Sequence, residues 1–201
     1  MELGPLCSSA YKIGKPSDEA LALSRFLTRA ILRSGMIDLN QLCIEAGKAV
    51  WVLKADVVCL DHDGNVEDAA LLSLCGALRS LKLPKPTFNE RTGLVTVSAS
   101  EEGIAVLVAW KMGTGALTQY LHRTDSSSLV LLHDLVPLTC VIAAGELVVD
   151  PSADVERVSS TKFTVVYSTG GQVSFGSCAS DMGSGPLALL VFCETVGVRW
   201  N

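Results

Sequence analysis

Ala49 to Leu60 runs almost wholly apolar, broken only by Lys54 and Asp56, and Asp61-His62-Asp63-Gly64-Asn65 follows it at once. A valine-rich run that carries Trp51 reads as a strand covered on both faces. The Asp/Gly/Asn cluster is a turn by composition. Beyond it Leu71, Leu74, Cys75, Leu78 and Leu81 share one helical stripe, which Pro84 and Pro86 end. A strand, a tight acidic turn and an amphipathic helix in unbroken succession oblige the helix to lie against a sheet. No all-helical or all-strand fold accommodates that unit.

A helix also precedes it. Pro16 and Ser17-Asp18-Glu19 form a start signal, an N-cap hydroxyl with acids in the first turn. Leu23, Phe26, Leu27, Ala30 and Ile31 then face one way, and Ser34-Gly35 stops the helix. Arg25, Arg29 and Arg33, four apart, share another face, either a solvated basic surface or a ridge that meets phosphates.

From Thr87 onward the pattern changes to short strands: Gly93 to Ser98, Ile104 to Trp110, Leu129 to Leu132, Leu138 to Ala143, Leu147 to Val149 and Phe163 to Tyr167. Thr169-Gly170-Gly171 predicts a hairpin turn. The class is therefore α+β, with helices on a mostly antiparallel sheet. No repeat of 20 to 50 residues is visible, and 201 residues suit a single domain over 1–201.

Composition narrows the classes further. An apolar fraction of 49% and a mean hydropathy of +0.39 exclude disorder as the main state. The longest apolar runs, Ile104 to Trp110 and Leu187 to Cys193, are too short to span a bilayer. No secretory leader is signalled. The excess of apolar residues must be hidden inside a core or against other protein.

The net charge of −5 is uneven: residues 1–100 hold eleven charges of each sign, residues 101–201 five basic and ten acidic. A solitary nucleic-acid binder needs a basic excess, because phosphate neutralisation supplies most of its affinity. Any RNA contact here is predicted to be local or shared with partners.

The motifs name no enzyme. The cysteines, Cys7, Cys43, Cys59, Cys75, Cys140, Cys178 and Cys193, are odd in number and none stands at CxxC spacing. They read as reduced, mostly buried thiols. An EF-hand requires glycine sixth and glutamate twelfth, whereas counting from Asp61 glycine is fourth and Leu72 is twelfth. The turn instead offers Asp63 or Asn65 as a helix cap, with Asp68 closing a capping box. His62, His122 and His133 form no ligand pair, and the glycine turns at 113–115 and 183–185 lack a phosphate loop's lysine. No catalytic, cofactor or metal residue is assigned.

One ordered set of residues is more specific. Gly14-Lys15-Pro16-Ser17, Ser34-Gly35-Met36-Ile37-Asp38-Leu39 and Leu42-Cys43-Ile44 come first. Gly47-Lys48-Ala49-Val50-Trp51, Asp56 to Gly64, Asp68-Ala69-Ala70 and Asp150-Pro151-Ser152 follow. Together they resemble the RNase PH-like ring subunits of the RNA exosome, and among them the non-catalytic subunits, nearest the eukaryotic type numbered forty-three. The resemblance covers residues 5 to 175 and implies the RNase PH fold. It also implies a hetero-oligomeric ring with other RNase PH-like exosome subunits, RNA passing through the assembled ring, no cofactor, and a nuclear, nucleolar and cytoplasmic location.

In active relatives the turn after the strand presents Gly, Ser or Thr, and Arg to the attacking phosphate. The matching positions here are Asn65, Val66 and Glu67. Replacing an arginine fork by a carboxylate reverses an interaction of about 4 kcal/mol at 4 Å and an effective dielectric of 20. The resemblance places the catalytic aspartate of active relatives near Thr161, which cannot serve as an acid. The expected function is a structural, non-catalytic ring subunit supporting 3′-to-5′ RNA processing and degradation, including rRNA processing and mRNA turnover. The alternatives are a phosphorolytic exoribonuclease completed by a partner and an interaction module unrelated to RNA. RNA contact is expected first at Arg25, Arg29 and Arg33, then at Arg79, Lys82 and Lys85. From the resemblance, the family's N-terminal strands and long C-terminal helix are expected to be missing from these 201 residues, and 176–201 to be a divergent tail.

Overall fold

The computed structural model describes residues 1–89, 91, 94–97, 126–169 and 173–180. Helix α1 (Asp18–Ser34) begins at Ser17, whose hydroxyl accepts from the Ala20 amide, and ends at Gly35 with φ 63°. The left-handed C-cap is open to glycine without penalty. Leu23, Phe26, Leu27 and Ala30 are buried and Ile31 half-buried, as the stripe predicts.

After α1 a short 3₁₀ turn (Leu39–Leu42) leads to the hairpin β1 (Cys43–Glu45) and β2 (Ala49–Val50). Here the structure departs from the sequence pattern. Ala49 to Leu60 is not a strand buried on both faces: only Ala49–Val50 forms a ladder, and Val58 makes one isolated parallel bridge to Glu2. Val50, Val52 and Val58 are exposed, whereas Trp51, Leu53 and Val57 turn inward against the core. Apolar character gives strand propensity, but a ladder also needs a neighbour, and β1 is only three residues long.

Helix α2 (Val66–Ser80) buries Val66, Ala70, Leu71, Leu74 and Leu78. It stops at Leu81, ahead of both prolines, which lie in β3 (Lys82–Pro84) and β4 (Pro86–Asn89). β4 pairs with β5 (Leu94–Val97), and β3 with β6 (Ser126–Ser128). Leu129–Leu132 is not a strand: Leu131 makes only a bridge to Ile37, because Leu129 has turned into the core.

The main sheet is antiparallel, in the order β10 (Val173–Ser180), β9 (Thr161–Ser168), β7 (Leu135–Ala143), β8 (Glu146–Val149). Helix α3 (Ala153–Val158) joins β8 to β9. α2 packs on β7, and the main core gathers Phe26, Met36, Leu71, Leu74, Leu135 and Val166 between the helices and the sheet. The architecture is α+β, as expected. β9 and β10 pair as the hairpin prediction requires; Gly170-Gly171, the strand at Ile104 to Trp110, and residues 113–115, 122, 183–185 and 187–193 lie outside the described residues. Among the described residues no helix is long and apolar enough to cross a membrane.

Candidate functional site

The turn at 61–65 meets the loop at 150–153. Gly64, at φ 89°, packs so closely that a Cβ would come 2.6 Å from the Ala153 nitrogen and closer still to the Pro151 carbonyl oxygen. Only glycine allows this approach of backbone to backbone. Residues 87 to 89 apart in sequence are thereby fixed in one site, which borders a cavity of about 330 Å³.

Asn65 occupies the cap position of α2, but in left-handed backbone at φ 47° and without a side-chain cap bond. The capping box therefore does not form. The Asn65 Nδ2 donates instead to Asp68 Oδ2 (3.0 Å) and Asp150 Oδ1 (2.6 Å), and its backbone N–H donates to Glu156 Oε1 (2.8 Å). Asp68 is buried beneath the helix, where its carboxylate accepts from the Thr139 amide (2.9 Å) and hydroxyl (2.5 Å) of β7. A buried carboxylate needs several donors, and the sheet supplies them better than the cap would. Asp63 makes no cap bond either.

Beside Asn65, Glu67 faces Lys162 of β9, with Oε2 2.7 Å from Nζ; Glu156 of α3 lies 2.8 Å away on the same ammonium. Burial alone would lower the Lys162 pKa, but the two carboxylates outweigh it and hold the group above its ordinary value of 10.5. The cluster carries two negative charges against one positive. Val66 is buried in an apolar cluster with Leu3, Ala20 and Leu23 and offers no polar side chain. Thr161, one residue before Lys162, is buried at the start of β9, opposite Ile142 of β7.

The His62 ring lies 5.9 Å from that of Tyr11, and its Nε2 is 3.9 Å from Glu19. Among the described residues no group of three or more His, Cys, Asp or Glu side chains is arranged to hold a metal.

The six basic residues singled out from the sequence stand elsewhere. Arg25, Arg29 and Arg33 lie exposed on α1; Arg79 ends α2 in an ion pair with Asp134; Lys82 and Lys85 are exposed on and just after β3. None of the six borders the cavity. Sequence reasoning did not single out Glu156, Lys162, Thr139 or Asp150 for a site. A lysine inside the valine-rich strand at Thr161 to Ser168 is the one signal that pointed to Lys162.

Residues 1–84 match the 3′ exoribonuclease family, domain 1. Exosome complex component Rrp42 of Methanocella arvoryzae is 33% identical over 174 residues, 87% of this chain and 54% of that protein. Exosome complex component rrp43 of Schizosaccharomyces pombe is 46% identical over 90 residues, 45% of this chain and 33% of that protein. The chain spans about half the length of the archaeal relatives it matches. A chain of the Archaeoglobus fulgidus exosome, solved with RNA bound to the active site, superposes with a TM-score of 0.71 at 25% identity; the match covers 96% of this chain and 63% of that one.

Proposed function

We propose that this chain, which has the RNase PH fold of exosome ring subunits, serves as a non-catalytic wall of such a ring. Its neighbours would be other RNase PH-like subunits, and its role 3′-to-5′ RNA processing and turnover by assembly and channelling rather than by chemistry. Residues 1–201 would act as one domain, in the nucleus, nucleolus and cytoplasm.

One observation carries the non-catalytic reading. Where the resemblance implies a phosphate held by Ser or Thr and Arg, this chain sets Asn65, Val66 and Glu67, and the nearest cation, Lys162, is already held by Glu67 and Glu156. A phosphate there would meet an excess of negative charge. Thr161 at the expected place of the catalytic acid supports the same reading, since a hydroxyl cannot donate a proton as a carboxylic acid does. The partner-completed exoribonuclease is disfavoured on the same ground.

RNA contact by Arg25, Arg29 and Arg33 is part of this proposal: they form an exposed row along α1, one helical turn apart. Lys82 and Lys85 are secondary candidates, and Arg79 a weaker one because Asp134 neutralises it.

The decisive experiment is co-expression with RNase PH-like ring subunits, read by size-exclusion chromatography with light scattering. Stable co-elution supports the proposal; a chain that stays monomeric beside them overturns it. For the assembled ring, phosphate-dependent release of nucleoside diphosphates should be unchanged by Thr161→Val.

A further inference from the structure

The cavity at the turn is lined by acidic and apolar side chains. Asp61, Asp63 and Asp150 stand exposed around it, and Val57, Val66 and Ala70 form part of its wall. No lysine, arginine or histidine lines it, and the Met1 amino group on its border is held by Ser24 Oγ at 3.0 Å. Among the described residues none of the three aspartates has an ion-pair partner.

The second observation is Asn65. It is 5% exposed and borders the cavity, and its Oδ1 is buried without a hydrogen-bond partner. The orientation of the amide is not arbitrary. Two carboxylates, Asp68 and Asp150, flank the nitrogen, and an oxygen placed between them would be repelled. Both N–H groups are therefore used, and the carbonyl oxygen is left waiting for a donor. A buried acceptor in that state costs about 1–3 kcal/mol until a donor arrives.

We propose that this cavity receives a guanidinium group, the arginine side chain of another protein. The requirement is for donors, positive charge and an apolar stem together. A guanidinium presents five N–H donors in one plane and is weakly hydrated, so it can serve Asn65 Oδ1 and a carboxylate at once. Its methylenes suit the valine and alanine wall. An ammonium is a more strongly hydrated point charge with no such fork, so lysine is the poorer fit. The positive end of the α2 dipole opposes a cation by roughly half a charge, against three carboxylates in its favour.

The probe is N-acetyl-arginine amide, titrated into the full chain at constant ionic strength and followed by the backbone amide resonances of Gly64, Asn65 and Ser152. N-acetyl-lysine amide and N-acetyl-glutamine amide serve as controls. Saturable shifts with arginine amide are expected, with weaker binding of the lysine compound and none of the glutamine compound. Asp61→Asn and Asp63→Asn should each weaken binding about two- to fivefold. Neither side chain makes a hydrogen bond among the described residues, and either single variant carries the comparison should the other fail to fold. Equal shifts with all three compounds, no saturation, or indifference to both substitutions would overturn the assignment, leaving the cavity to water. The inference rests on the turn itself and not on ring assembly. A chain that joins a ring but ignores arginine amide loses only this site, and one that binds arginine amide but stays monomeric loses only the ring.

Discussion

Asn65 and Asp150, 85 residues apart, are joined by a 2.6 Å hydrogen bond from Nδ2 to Oδ1, and both hold left-handed backbone, at φ 47° and 54°. Such conformations cost a non-glycine residue about 1 kcal/mol or more and persist where surrounding bonds impose them. Asn65→Ala should therefore lose both the bonds and the tolerance of the backbone, about 2–4 kcal/mol in urea unfolding. Asn65→Gly should recover about 1 kcal/mol of that, because glycine accepts the same φ freely. Equal losses for the two variants would mean that the backbone contributes nothing.

Gly64→Ala tests the seam between the two loops. The new methyl would collide with backbone atoms of Pro151 and Ala153, which cannot swing aside as a side chain can. A loss of at least about 2 kcal/mol is expected, or roughly 4–8 °C in melting temperature for a chain of this size. Differential scanning calorimetry reads it directly.

Lys162→Met should leave Glu67 and Glu156 facing each other with no cation between them. All three side chains are about one-fifth exposed (22%, 22% and 18%), so solvent moderates the effect. A loss of about 1–3 kcal/mol is expected, largely restored by adding Glu67→Gln and Glu156→Gln. The pH dependence has a definite sign. The Lys162 pKa is raised in the folded state, so its contribution is complete below the ordinary 10.5 and disappears as pH rises through the folded value. Wild type should lose this increment above pH 10.5, and Lys162→Met should not.

Thiol labelling separates the described cysteines. Cys43 is exposed, whereas burial pushes Cys59 up to about 12 and Cys75 and Cys140 up to about 11. At neutral pH these three remain thiols and react slowly. Iodoacetamide followed by peptide mass spectrometry should find Cys43 modified ahead of Cys7, Cys59, Cys75 and Cys140.

Legibility in the sequence followed the range of the interaction. The cap at Ser17, the stop at Gly35 and the stripes of α1 and α2 depend on neighbours three or four residues away, and all were readable. The strand expected at Ala49 to Leu60 was not, because its pairing depends on a partner that a local pattern cannot supply. The turn at 61–65 could be seen, but not the bonds of Asn65 to Asp150 and Glu156, nor those that tie Asp68 of α2 to Thr139. Asn65 and Asp68 fitted a capping box by spacing, yet a buried carboxylate draws its donors from wherever the fold brings them. Glu67 was legible as an oddity; that Lys162 answers it required β9 to lie alongside.

The Gly64 seam has a consequence for how the chain is made. Its far side, residues 151–153, leaves the ribosome 89 residues after Gly64 itself. At about 5–20 residues per second, roughly 4–18 s of synthesis separate the two halves of one turn. During that interval Asn65, Glu67 and Asp68 have none of the partners that β7, α3 and β9 later provide. The turn is therefore the last part of the α2 entrance to settle, since its polar groups are satisfied only when chain made seconds later folds back onto them.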